Sequence, residues 1–300
     1  FIASVSVIVH LGAKPVFVDV LPDQTMNPDL LEKAITKKTK AIMPVHLTGR
    51  ISEMKKINYI AKKYNIPVVE DAAQSIGSKY YNKPAGSIGT VGCFSAHPLK
   101  NLNAVGDGGY LTTNKKKIYN KVLELRNHGM IKRNKIKNFG HVSRLDNLNA
   151  AVLIYRLKNL KKVIQQRRRN FEIYKKYLNR KYVFFPYEKS YQFNTYHTFV
   201  IQVDNRDKLI NYLKKNNITT AIHYPIPIHL QPAAKYLNYK KGSLINTELQ
   251  AKEPMTPLIA QVLSRLTAGD IDELPCDPST RRRRKKQCCC SAIIWRSGPA

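Results

Sequence analysis

The chain has 300 residues, 43% of them hydrophobic, enough for a large core and more than one lobe. No apolar run approaches the roughly 20 residues a membrane-spanning helix needs, and the opening FIASVSVIVHLGA has neither an initiator Met nor a basic leader, which argues against a signal peptide. A formal charge of +31 raises the possibility of nucleic-acid binding, but the lysines are spread over helix faces such as Lys55, Lys56, Lys62 and Lys63 without interleaved aromatics, so a solvated surface that attracts anionic substrates is the favoured reading.

In chain order, residues 2–11 read as a buried helix stopped by Gly12, as if the chain began inside a domain. PVFVDV at 15–20 reads as a strand. Asn27 caps a short helix with Pro28 at its first position, and residues 41–45 form another strand with His46 in the loop beyond. His46 lies either near a ligand or, more often for a loop histidine, bonded to its own surroundings. Ser52 opens a helix whose apolar Met54, Ile57, Ile60 and Ala61 keep helical spacing, and Asn65 ends it. Strand, helix, strand, helix, strand implies an α/β sheet with right-handed crossovers.

The stretch 68–109 carries the chemistry. Apolar runs at 66–69 and 91–94 read as short buried strands, the first delivering Asp71 and Gln74, the second Ser95 and then Lys100. Ligands of open α/β sheets sit beyond the carboxyl ends of the strands, so these four side chains are placed to share one crevice. An ion pair explains a carboxylate and a lysine there; so does a carbonyl cofactor, held by the lysine as a Schiff base while the aspartate keeps a pyridine nitrogen protonated. EDAAQ at 70–74, FSAHPLKN at 94–101 and GDGG at 106–109, in this order and spacing, resemble the motifs of the DegT/DnrJ/EryC1/StrS aminotransferase family. The resemblance implies a fold-type I, pyridoxal-phosphate-dependent α/β enzyme: a mainly parallel sheet domain plus a smaller α+β C-terminal domain. By it, Lys100 is the Schiff-base lysine, Asp71 the pyridinium partner, Gln74 a ring contact and Ser95 a phosphate ligand.

GDGG reads as a tight turn into a strand at 110–113 rather than a phosphate cradle, since a cradle would precede a helix. From 145 to 178 apolar residues recur at helical spacing behind a Ser143/Asp146 capping box, with Arg167, Arg168 and Arg169 on the solvent face. SRLD at 143–146 is also family-like, and the resemblance implies that this segment reaches a neighbouring subunit's site; Val142 stands where relatives often have a phosphate-binding asparagine. A strand at 197–203, a helix at 206–216 and a strand at 218–223 make the second domain. The HYPIPIHLQPA that follows is family-like and offers Tyr224 and His229 as substrate-side residues, with packing the competing role for both.

Composition changes near Pro254: all 17 Tyr and all 9 Phe precede it, and the remainder holds RRRRKK at 281–286 and three adjacent cysteines, Cys288, Cys289 and Cys290. The expected division is therefore 1–144 large cofactor domain, 145–180 linking helix, 181–253 small α+β domain and 254–300 a basic tail outside the fold, with a helix over 257–275 the one structured piece. The cysteines lack C-x-x-C spacing, so no metal is expected. Cys93, alone in its strand, fits a reducing cytoplasm.

The resemblance covers residues 1 to about 250 and implies a segment ahead of Phe1 with a phosphate-binding Gly/Thr turn and a ring-stacking aromatic. It implies an amino donor, glutamate, and a nucleotide-linked keto-sugar acceptor used in ping-pong fashion by a cytoplasmic homodimer. Related sugar dehydratases carry histidine at the lysine position, which Lys100 argues against. An inactive fragment and a basic polyanion-binding protein are the rival readings.

Overall fold

The computed structural model describes residues 1–252 and 256–260. The first apolar run coils as α1 (Ile2–His10), and Gly12 ends it in the left-handed region at φ +71°. The helix is not buried as expected. None of its residues falls in the core; it lies on the surface, touching the rest of the chain through Ser4 and Phe1. Residues 15–20 run extended but form only a single bridge, Val20 to Met26, instead of a strand. Asp19 there serves another purpose, described below.

Asn27 caps α2 (Pro28–Ala34), its side-chain oxygen accepting the Asp29 amide at 3.0 Å. The expected strand at 41–45 is reduced to two parallel bridges, Ile42 to Val68 and Val45 to Asp71. Helix α3 (Met54–Lys63) starts two residues after Ser52, whose hydroxyl donates to the Val45 carbonyl instead of capping. Asn65 follows at φ +52°. Met54, Ile57, Ile60 and Ala61 form its inner face against Leu31, Ile42, Val68 and Phe94. Burying each of the three large side chains stabilises the fold by about 1.5–3 kcal/mol. Lys55, Lys56, Lys62 and Lys63 occupy the exposed face.

Strand β1 (Val69–Asp71) leads to a small hairpin, β2 (Lys79–Tyr80) and β3 (Lys83–Pro84), and then to β4 (Val91–Ser95). β1 and β4 pair in parallel, Asp71 opposite Cys93, and β5 (Gly109–Thr112) adds antiparallel on the other side of β4, Ser95 opposite Gly109. The sheet is thus mixed, ordered β1-β4-β5 with residues 42–45 alongside β1. GDGG leads into β5 as expected, though the β4 to β5 connection is long and Ala96 extends the ladder by donating to the Gly108 carbonyl at 2.8 Å.

Next come α4 (Lys116–Leu125), the hairpin β6 (Met130–Lys132) with β7 (Lys135–Ile136), and α5 (Asn147–Tyr177). Asp146 is the N-cap residue of α5, but neither it nor Ser143 makes the side-chain bonds of a capping box. Leu153 of α5 packs on Ala96, Leu102 and Ala104 behind Lys100. The arginine cluster is not a solvent face: Arg167 donates to the His197 carbonyl at 2.7 Å, Arg168 pairs with Glu188 and lies over the Phe193 ring, and Arg169 alone is exposed.

The second sheet contains β8 (Val183–Phe184), while β9 (Gln192–Phe193) joins β2 across the molecule. β10 (Val200–Val203), α6 (Arg206–Lys215) and β11 (Thr220–Ile222) follow the expected order. Phe171 of α5 stacks on Tyr196 at 3.9 Å between centroids, with Phe185 and Ile201 in the same cluster. Asp19 supplies from a distance the cap that α7 (Ile245–Ala251) lacks locally, accepting the Asn246 and Thr247 amides at 2.9 and 2.8 Å. Burial pushes the Asp19 carboxyl up, and the Thr247 hydroxyl with these amides outweighs it, leaving it below its ordinary value.

The stretch 254–300, expected to lie outside the fold, contributes β12 (Thr256–Ala260). This strand fills the centre of the second sheet between β10 and β11, and for residues 257–260 it replaces the expected helix. Both flanking strands present edges that need a pairing partner, which a strand here satisfies and a helix would not. The remainder of that helix, Arg281–Arg284 and Cys288, Cys289 and Cys290 lie outside the described residues.

Candidate active site

Two neighbouring residues of β1 point to opposite faces of the sheet. Glu70 faces inward and is fully buried, its carboxylate accepting the amides of Gly86 at 2.9 Å, Ile88 at 2.7 Å and Gly89 at 2.5 Å, and meeting His46 Nε2 at 2.9 Å. His46 Nδ1 accepts the Ser52 amide at 3.3 Å, so Nε2 carries the proton that it donates to Glu70. His46 is therefore a fully buried support of the strand ends. Burial pushes the Glu70 carboxyl up, but His46 and the Gly89 and Gly86 amides outweigh it and hold it below its usual value.

Asp71 faces the other way. Its Oδ2 accepts the Ser4 hydroxyl at 2.6 Å and its Oδ1 the Ala73 amide at 3.1 Å. Lys100 lies across from it, placed by the loop after β4, in which the Lys100 amide donates to the His97 carbonyl at 2.8 Å. Burial pulls the Lys100 amine below its ordinary value, and the Asp71 charge partly restores it. The two carry opposite charges close enough to influence one another without forming a direct ion pair.

Gln74 is fixed by its oxygen, which accepts the Thr48 amide at 2.6 Å, and its side chain lies by the Tyr224 hydroxyl. Burial and the Asp71 charge raise the Tyr224 hydroxyl's pKa against the pull of Gln74. Tyr224 also packs on Phe1, with ring centroids 5.8 Å apart. Asp71, Lys100, Gln74 and Tyr224 are thus brought together. Ser95 ends β4 one strand over, two residues past Cys93, its oxygen accepting the His97 amide at 3.2 Å.

His229 is not part of this group. It is 3% exposed, and its Nε2 contacts Glu248 at 3.0 Å on a carboxylate that also accepts the Gly242 and Leu244 amides. In this position it gives the buried Glu248 carboxylate a hydrogen-bond partner. Cys93 is half-buried, and burial with the charges of Asp71 and Glu70 raises its thiol to about 11.

Three residues around Lys100 escaped the sequence. His197 is buried with Nδ1 3.2 Å from Asn101 Oδ1, and burial together with the charges of Lys100, Arg167 and His223 drives it well below its ordinary pKa. His223 is lowered by burial and by Lys100, and its buried Nδ1 has no hydrogen-bond partner. Asn101 Nδ2 is likewise unpartnered. Only Asn101, inside FSAHPLKN, gave a local signal; the histidines arrive from the second lobe.

A half-buried amine, a carboxylate near it and unpartnered polar atoms on the lysine side suit an aromatic aldehyde cofactor. The site and its α/β frame define the class as an aminotransferase of fold type I. Residues 1–272 match the sequence model of the DegT/DnrJ/EryC1/StrS aminotransferase family, and the chain belongs to that family. It is 40% identical over 264 residues to the pleiotropic regulatory protein of Geobacillus stearothermophilus, covering 85% of this chain and 70% of that one. It is 38% identical to UDP-2-acetamido-2-deoxy-3-oxo-D-glucuronate aminotransferase of Pseudomonas aeruginosa, covering 78% of this chain and 65% of the relative. The fold matches that of DesV from S. venezuelae, solved with a ketimine intermediate, at a TM-score of 0.83 and 33% identity over 90% of this chain and 74% of DesV. The match to residue 272 carries the family likeness past the limit near 250 expected from the motifs.

Proposed function

We propose that the chain is a pyridoxal-phosphate-dependent aminotransferase that moves an amino group from an amino acid, glutamate, to a nucleotide-linked keto-sugar. The cofactor is that of the family, and the acceptor class follows the relatives whose names specify it. When bound, pyridoxal phosphate supplies the electron sink that makes a substrate C–H bond acidic.

The chain's own residues do the rest. Lys100, with its amine pulled down by burial, keeps a larger neutral fraction than an exposed lysine, which suits it to hold the cofactor covalently and later to carry a proton on Nζ. With the cofactor bound, Asp71 would accept a hydrogen bond from its ring nitrogen, Gln74 and Tyr224 would orient its ring, and Ser95 would donate its hydroxyl to its phosphate. His197, neutral because it is buried, backs Lys100 without adding a competing charge.

Ser143 to Asp146, exposed or half-exposed ahead of α5, form part of the partner's site wall in a homodimer. Among the described residues no helix is long and apolar enough to cross a membrane, and we place the enzyme in the cytoplasm. The observation that carries the reading is the separated, interacting pair Asp71 and Lys100. Incubation with pyridoxal phosphate, borohydride reduction and peptide mapping test it: a single label on Lys100, lost in K100R, is expected. Label scattered over the exposed lysines overturns it.

A further inference from the structure

We infer that Ser4 is a positioning residue that acts on the proposed cofactor through Asp71, its hydroxyl fixing the orientation of that carboxylate. The inference rests on the aminotransferase reading above. Ser4 lies in the first turn of α1, in the otherwise mostly apolar IASVSVIVH. A serine inside a helix competes with the helix by bonding nearby backbone and is a poorer helix former than alanine. Here the hydroxyl leaves its own helix and donates to Asp71 Oδ2, 67 positions along the chain, at 2.6 Å. That length falls in the charge-assisted range for a hydroxyl on a carboxylate, and the carboxylate can only accept, so the proton belongs to Ser4.

Packing gives no other reason for the residue. No side chain of α1 is buried, so the helix is not a core element that happens to carry a serine. The bond also completes Asp71: Oδ1 is held by the Ala73 amide and Oδ2 by Ser4, so the carboxylate cannot rotate without losing one of them. A carboxylate fixed in this way presents its remaining lone pairs in one direction, so the hydroxyl supports a ring nitrogen's hydrogen bond without touching the ring.

The test is pyridoxal-phosphate affinity by absorbance titration in wild type, S4A, S4T, D71N and the S4A/D71N double variant. The same titration with a carbocyclic analogue that has carbon in place of the ring nitrogen separates charge from shape. Hydrogen bonds to charged groups are strong enough that S4A should weaken pyridoxal phosphate about tenfold. S4T should restore it, the carbocyclic analogue should bind S4A as it binds wild type, and S4A should have no further effect on D71N. S4V, which keeps the shape of threonine without its hydroxyl, gives the same comparison if S4A fails to fold. Wild-type affinity in S4A, equal loss of both ligands, or effects that simply add in the double variant would overturn the inference. Failure of the wild type to bind pyridoxal phosphate would instead sink the aminotransferase reading, and this inference with it.

Discussion

Glu70 and Asp71 are adjacent carboxylates with opposite fates, because β1 alternates its faces. Glu70 is sealed among four donors, whereas Asp71 faces the amine of Lys100. A glutamine at this position keeps one accepting oxygen and turns an NH2 donor toward the two donors that faced the other, and breaking such a buried pair costs about 3–5 kcal/mol. E70Q should therefore lower stability by about that amount in urea unfolding at neutral pH. The sign of the pH dependence follows from the depressed folded value. The contribution is present above the ordinary carboxylate pKa and is lost as pH falls through the lower folded one, so the gap between wild type and E70Q should narrow on acidification. A constant gap from neutral pH into the acid range would show that Glu70 does not titrate as the structure requires.

At the scale of elements, the position of Ser95 depends on two glycines. A Cβ on Gly92 of β4 would lie 2.2 Å from the Gly86 Cα, and Gly86 itself sits at φ +78° against the Phe94 ring. Backbone cannot yield as a flexible side chain does, so G92A should push β4 away, destabilise by about 3 kcal/mol or more, and lower cofactor capture on Lys100 in the folded fraction. Thermal unfolding with borohydride labelling checks both. These elements were also where the sequence read best: α3, β4, β5, α5, β10, α6 and β11 carry their own period or turn residues. What failed was set by distant partners. Residues 15–20 and 41–45 are apolar enough for strands but find only bridges. The capping box before α5 is not formed, while Asp19 caps α7 from more than two hundred residues away. The placement of Asp71 and Ser95 at strand ends, with Gln74 and Lys100 in the turns beyond, was legible from motif spacing. Ser4, His197 and His223 were not, since a single polar residue in an unrelated stretch has no local mark until the chain folds it onto Lys100 or Asp71.

For the whole molecule, the question is what covers the apolar side chains ahead of and at the start of α5. Phe139 is 93% exposed, Leu148 74% and Val142 62%, all within the stretch that runs from the β6–β7 hairpin into α5 and includes Ser143 to Asp146. Large apolar side chains bared within one short stretch mark a candidate association surface, and a twofold interface would bury the stretch of each copy against the other. The net charge of +31 opposes that approach at low ionic strength. Association in the full-length protein should therefore tighten as salt rises, whereas binding to nucleic acid should weaken steeply. Sedimentation of the wild type in 50 and 300 mM salt should show a dimer favoured at the higher concentration, and F139E/L148E should sediment as a monomer at both. Because Ser143 to Asp146 serve the neighbouring site in this arrangement, the double variant should also lose amino transfer while Lys100 stays open to borohydride trapping. A wild type that remains monomeric at every salt and protein concentration, or one that dissociates as salt rises, would mean that the hairpin and α5 do not form a homodimer interface.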